Sequence, residues 1–480
     1  MRIVIIGAGA GGICMGIKLR EAGFEDFVIL EKAPQAGGTW WYNTYPGVEC
    51  DVPSHLYCYS FALNKRWSRP YSPQPEILAY FQGCAERFGV MAHMRFGVEV
   101  CSARWSEEHH QWTLVLQDGS RLVADVVLSA MGMFNVLCWP QIEGLERFTG
   151  TAFHSARWRH DHDLRGRRVA VIGSAASAIQ LVPRIAPIVE QLHLFQRTPN
   201  WVAPKLNDPF STAALERLQR EPLAASEMRL DAWRDFNAKC TFAPDLCRLS
   251  EKVVIEKCIS VVADPALRAR LTPCYPFGQK RPLRSSEYYP VFNRPNVELV
   301  TEGIEGVRGD TLITADGTAR RVDTIIMATG FETAKFLSSI DVRGEGGRVL
   351  QDEWAEGAQA YLGVATAGYP NLFMLYGPNT NNGSIIYMIE CQAAYVLRQL
   401  GRMRDESIRV LRVRQNAQDD YNLRLQQELD RFEVYRLDST TPTYYRARNG
   451  RRVTQCPYNM PEYRELTDSP DPDAYDAIKA

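Results

Sequence analysis

Hydrophobic and polar positions along the chain fall into two copies of one pattern. A short β-branched run, Ile3 to Ile6 or Val169 to Ile172, breaks at a glycine-rich turn and resumes as an apolar helix. The turns read Gly7-Ala8-Gly9-Ala10-Gly11-Gly12 and Gly173-Ser174-Ala175-Ala176-Ser177-Ala178. A second apolar strand follows each helix, ending on Glu31 in the first copy and on Gln196-Arg197 in the second. Further on, Ala124-Asp125-Val126-Val127-Leu128-Ser129-Ala130-Met131-Gly132 is matched by Val322-Asp323-Thr324-Ile325-Ile326-Met327-Ala328-Thr329-Gly330. Such internal duplication predicts two related α/β units.

The same periodicities place the other elements. A helix is predicted near Glu76 to Arg87, and a hairpin where Trp112 to Leu116 meets Asp118-Gly119. Leu215, Leu218, Trp233 and Phe236 recur at helical spacing, predicting a helical insertion in the second unit. Ser384 to Gln399 reads as helix, and the tail after Asp468 as loosely held. The expected fold is therefore α/β, with two Rossmann-like dinucleotide-binding domains. Residues 1–147 and 322–480 are assigned to the first domain, 148–205 and 273–321 to the second, and 206–272 to the insertion.

The two turns suggest which dinucleotides bind. In the first, Gly7 allows the tight turn, Gly9 lets the backbone approach a pyrophosphate, and Gly12 permits close helix–strand packing. The helix start then offers unpaired N–H groups to phosphate. Glu31 ends the following strand where an acid accepts hydrogen bonds from an adenosine ribose, as FAD requires. In the second turn Gly173, Ser174 and Ser177 remain, but Ala175 and Ala178 replace glycines. Arg197-Thr198 stands where Glu31 stood, and its planar donors suit the 2′-phosphate of NADPH. One chain holding FAD and NADPH would be a redox enzyme.

Charge and cysteine content narrow the setting. With 55 Lys and Arg against 56 Asp and Glu, the net charge is −1, so no global field favours nucleic acid or an anionic membrane. The twelve cysteines form no Cys-x-x-Cys pair and no metal-ligand spacing, which fits a reducing compartment and argues against a disulfide reductase. No apolar run approaches the ~20 residues of a membrane span. With a first strand starting at Arg2-Ile3-Val4, the expectation is a cytoplasmic protein without a membrane partner. No heptad pattern calls for assembly.

Phe148-Thr149-Gly150-Thr151-Ala152-Phe153-His154-Ser155-Ala156-Arg157-Trp158 fits Phe-x-Gly-x-x-x-His-x-x-x-Trp, which resembles the fingerprint of type I Baeyer–Villiger monooxygenases. Gly37-Gly38-Thr39-Trp40, Tyr45-Pro46-Gly47 and Asp51 fit that family's second fingerprint. The resemblance covers most of the chain, through Pro53 to Tyr57, Gln196 to Trp201, Lys280-Arg281 and Gly377 to Asn381. It implies FAD reduced by NADPH, a C4a-peroxyflavin formed with O2, and insertion of one oxygen beside a ketone carbonyl to give an ester or lactone. It implies Arg281 and Asp51 as the catalytic pair, with His154 on the interdomain linker supporting NADPH handling. Gly38, Trp40, Asp51 and Tyr57 would serve the flavin, and Gln180, Arg197, Thr198 and Lys280 the NADPH.

Three positions depart from the family pattern: Arg159 after the fingerprint tryptophan, Glu49 close to Asp51, and Gln455-Cys456-Pro457 where many relatives carry a tryptophan. The scaffold also admits other chemistry, namely N- or S-oxygenation, hydroxylation, or plain NADPH oxidase activity.

Overall fold

A computed structural model of the chain describes residues 1–479 apart from 438–440, 442 and 448. Its centre is two five-stranded parallel sheets. The first has the order Leu372–Met374, Val126–Ser129, Ile3–Ile6, Phe27–Glu31, Met94–Phe96. The second has the order Val297–Val300, Gln191–Phe195, Arg168–Ile172, Thr324–Met327, Thr151–His154. Ile3–Ile6, Val169 to Ile172 and Thr324–Met327 of the central strands are buried on both faces, which is why they read as unbroken apolar runs and not as alternating ones.

The duplication extends to the smaller sheets. Antiparallel strands Val100–Ser106, Gln111–Leu116 and Arg121–Ala124 precede Val126–Ser129, as Ile304–Arg308, Thr311–Thr314 and Ala319–Arg321 precede Thr324–Met327. This corrects the expected boundary at 322. Thr324–Met327 pairs with Arg168–Ile172 and Thr151–His154, so it closes the second unit and the chain returns to the first only beyond Gly330. The repeated string marks the same closing strand in each copy.

The two crossings between units run side by side. Cys138 N donates to Gly330 O at 2.9 Å and Glu332 N to Val136 O at 2.9 Å, making a narrow antiparallel link. The stretch after Leu206 forms helices Thr212–Arg220, Ala224–Lys239, Pro244–Val253 and Pro265–Leu271. It straddles both cores: Trp233 and Phe236 pack on the first, while Val254, Ile259 and Leu271 belong to the second. The C-terminal tail is not loose. Tyr475–Lys479 pairs antiparallel with Ile408–Val413, and the buried Tyr475 hydroxyl accepts from Tyr395 at 2.9 Å. Among the described residues no helix is long and apolar enough to cross a membrane.

Candidate active site

A cavity of about 1210 Å³ is lined by residues of both sheets, the insertion and the C-terminal segment. Gly7, Gly9, Glu31, Gly38, Trp40, Asp51 and Tyr57 line it from the first unit, and Gly173, Ser174, Ser177, Gln180, Arg197, Thr198, Lys280 and Arg281 from the second. The sequence thus separates these residues by hundreds of positions and the fold brings them to one cavity.

The first glycine turn fits a dinucleotide. Gly38 has φ +56°, and a Cβ there would lie 2.8 Å from Gly9 Cα, so two bare backbones meet where a side chain would fill the cradle. Helix Ala10–Glu21 has no side-chain cap at Gly9, which leaves its first N–H groups to an outside acceptor. Glu31 is fixed by Ala8 N and Ala33 N at 2.7 and 2.8 Å. Gly12, expected among the cofactor contacts, does not line the cavity. A Cβ there would sit 1.9 Å from Gly7 O, so its part is to let the turn close on the helix.

The second turn repeats this geometry with less glycine. Ala175 has φ −89° and ψ −157°, close to Gly9 at −80° and −169°, so the backbone needs no glycine there. Arg197 and Lys280 lie at the cavity with no carboxylate partner among the described residues. Burial and the nearby Arg197 charge pull the Lys280 ammonium down to about 8. Two unneutralised cations side by side could hold a dianion.

Asp51 and Arg281 meet across the cavity. Arg281 Nη2 donates to both carboxylate oxygens, at 2.7 and 2.8 Å. Burial opposes ionisation of Asp51, but the charges of Arg281 and Lys205 outweigh it and hold the carboxyl below its usual value. The Asp51 charge raises the guanidinium well above its ordinary range. Beside the pair Cys50 and Tyr57 stay neutral, since burial pushes the Cys50 thiol up to about 12 and raises the Tyr57 phenol too. Trp40 is buried and donates from its indole nitrogen to Tyr57 Oη at 3.1 Å.

The second fingerprint is where one unit grips the other. Gly47 has φ +83°, and a Cβ would approach Gln180 O at 2.6 Å and Arg184 Cγ at 2.8 Å. Gln180 accepts from the Tyr45 hydroxyl at 2.9 Å and donates to Glu49 O at 2.9 Å. Its amide therefore joins the units, while the residue also lines the cavity. Ser177 also reaches the Tyr45 hydroxyl.

His154 sits at the crossings between the units. It lies outside the cavity lining, 1% exposed, accepting from Ala156 N and bonded through Nε2 to Gly330 O at 3.1 Å. Burial lowers it to about 4, so at neutral pH it is an uncharged pin between the two crossings. Arg159 pairs with exposed Asp161, away from the site. Glu49 is ion-paired with buried Lys205 at 2.6 Å, a partner 156 positions away that no local pattern could suggest. Tyr376 faces Arg281 as well, and so do Tyr444 and Tyr445, which were missed because the sequence marks them only as aromatic residues in a loop.

A fold with two such units and a charged pair between them defines a class: flavin-dependent monooxygenases with sites for two dinucleotides. The model of the flavin-binding monooxygenase-like family matches residues 1–216. The chain is 40% identical over 479 residues to a Baeyer-Villiger monooxygenase of Pseudomonas aeruginosa, covering 99% of this chain and 91% of that protein. It is 41% identical over 487 residues to a Baeyer-Villiger monooxygenase of Streptomyces coelicolor, covering 100% and 93%. The crystal structure of OTEMO in complex with FAD and NADP superposes with a TM-score of 0.88 at 28% identity, over 98% of this chain and 97% of that one. The chain belongs to the Baeyer–Villiger monooxygenases.

Proposed function

We propose that this enzyme inserts one atom of O2 beside a ketone carbonyl, giving an ester or lactone, with Asp51 and Arg281 as its catalytic pair. The observation that carries the assignment of residues is the two-oxygen contact from Arg281 to Asp51 inside a cavity shared by two glycine turns. Bound FAD, reduced by NADPH, supplies the electrons and activates the oxygen.

The first turn, Glu31 and the Gly9–Gly38 cradle hold FAD, while Arg197, Thr198 and Lys280 hold the 2′-phosphate of NADPH. Arg281 keeps its charge at every working pH and stabilises negative charge as oxygen is transferred. Asp51 keeps that guanidinium in one place and compensates its charge between turnovers. Trp40 and Tyr57 add apolar bulk that keeps water from the reacting atoms. A cytoplasmic location belongs to the same reading, supported by twelve cysteines that are all free.

The test is to reduce the purified enzyme anaerobically with NADPH, admit oxygen with a panel of cyclic and linear ketones, and analyse products by mass spectrometry. Ester formation is expected in the wild type. Arg281→Ala should lose it by at least roughly 100-fold while flavin reduction persists. Ketone oxygenation surviving in that variant would remove the pair from the mechanism. Hydrogen peroxide matching NADPH consumption with every ketone would make the protein an oxidase.

A further inference from the structure

Arg281 and Lys205 approach the flavin-side loop from one short ribbon. Strand Val202–Ala203 pairs in parallel with Leu283–Arg284, locked by Leu283 N to Trp201 O at 2.9 Å and Ser285 N to Ala203 O at 3.0 Å. Arg281 enters the second strand and Lys205 leaves the first. Ser286 closes the far end, donating to Lys205 O at 2.9 Å and accepting from Lys205 N at 3.0 Å. Both cations thus belong to one rigid piece of the second unit.

Their targets are consecutive. Arg281 holds Asp51, while Lys205 Nζ donates to Glu49 Oε1 at 2.6 Å and to Cys50 O at 2.7 Å. Asn207 completes the grip, donating to Glu49 Oε2 at 2.9 Å and to Tyr71 O at 3.0 Å. Three residues of one loop are therefore held by two cations of one ribbon. The Lys205 side chain is only 3% exposed and that of Glu49 20%.

A buried ion pair is a poor source of stability, because desolvating both charges consumes most of their attraction. Apolar packing would serve the fold equally well. Its worth lies in fixing a geometry, and the geometry fixed here is that of Asp51, two residues from Glu49. We infer that Lys205 is a positioning residue for oxygen transfer: with Glu49 it clamps the Asp51 loop onto the ribbon that carries Arg281, so the guanidinium meets the reacting atoms from one fixed place. The inference rests on the reading of Asp51 and Arg281 as the catalytic pair. The clamp also gives a partner to Glu49, one of the three positions read from the sequence as departures from the family pattern.

Removing Lys205 alone would strand a buried carboxylate and risks misfolding. The informative variant is therefore Glu49→Gln/Lys205→Met, which removes both charges and keeps an amide within reach of Asn207. The holoenzyme variant should match wild type in FAD content, in thermal unfolding and in the anaerobic rate of flavin reduction by NADPH. Without ketone, its peroxide release should rise several-fold. With cyclohexanone and 2-octanone as probes, kcat for ester should fall roughly 10- to 100-fold, the scale of a small misplacement of reacting groups, with KM little changed. A folded, flavin-loaded double variant with wild-type peroxide release and wild-type kcat overturns the inference. If Arg281→Ala keeps ketone oxygenation, the parent reading fails whatever Lys205 does. If Arg281→Ala loses it while the double variant behaves as wild type, only the clamp fails.

Discussion

At the scale of single residues, the site works by leaving some charges unpaired and pairing others tightly. Arg281 is neutralised by Asp51, whereas Lys280 and Arg197 face the cavity with no acid partner among the described residues. That asymmetry has a pH consequence. Lys280 is held down to about 8, by burial first and then by Arg197. As pH rises through 8 the free enzyme loses one of the two cations proposed to hold the phosphate. A charge-assisted hydrogen bond is worth about 1.5–3 kcal/mol, so KM for NADPH should rise roughly tenfold or more between pH 7 and 9.5. Lys280→Arg should flatten that profile and Lys280→Met should show the high-pH value throughout. A KM that is flat with pH in the wild type would mean that Lys280 does not contact the phosphate. The same scale shows how far spacing alone reaches. Glu31, Arg197, Gly7, Gly9 and Gly173 could be brought together from the sequence because their places follow from fixed offsets within one strand–turn–helix. Lys205 could not, because its meaning depends on a partner in the other unit.

At the scale of elements, the β-branched runs and glycine turns announced both central sheets, and the helical spacing announced the insertion. The boundary at 322 failed for a definite reason: the closing strand has the same sequence character in each copy, and only its pairing with Arg168–Ile172 assigns it to the second. The C-terminal strand failed because Asp, Pro and Ser around it carry turn signals that outweigh five residues of β character. What anchors the insertion was invisible as well. Arg229 of helix Ala224–Lys239 donates to the carbonyl oxygens of His55, Leu56 and Cys58 at 3.1, 3.3 and 2.8 Å, under the turn that leads to Tyr57. Arg229→Met should leave Cys58 O unpaired, at about 1–3 kcal/mol if water cannot reach it, while His55 O and Leu56 O keep their weaker donors Cys58 Sγ and Ser384 Oγ. Limited trypsin digestion should then cut within residues 206–272 while the remaining fragments stay folded. Unchanged resistance would show that Trp233 and Phe236 hold the helix without it. Gly47→Ala tests the other joint. With φ at +83° and Gln180 O in the way, it should cost about 1–3 kcal/mol of backbone strain and displace the Asp51 loop, raising peroxide release while FAD stays bound.

At the scale of the whole molecule, the two buried histidines that burial drives down to about 4 both sit at joints between parts. His154 pins the crossings through Gly330, with Arg157 as the nearest opposing charge. His55 lies beneath the insertion, its ring against Phe210 and its charged form opposed by Arg229. An unfolded histidine takes up a proton near 6.5, whereas these two resist until about 4. Between those values the folded protein binds fewer protons than the unfolded chain. Stability present above pH 6.5 is therefore lost as the pH falls towards 4, by up to roughly 3 kcal/mol for each histidine. Because both groups lie at joints, acid should loosen the assembly of the units before it melts either sheet. Hydrogen exchange at pH 4.5, corrected for intrinsic rates and compared with pH 7, should show protection lost first in residues 130–140, 328–338 and 206–272. The strands Ile3–Ile6 and Arg168–Ile172 should retain theirs. His154→Gln, which presents an amide but has no proton to gain, should restore protection at the crossings alone and leave the insertion acid-sensitive through His55. Sheets and joints losing protection together would place the acid response in the cores and detach it from these two side chains.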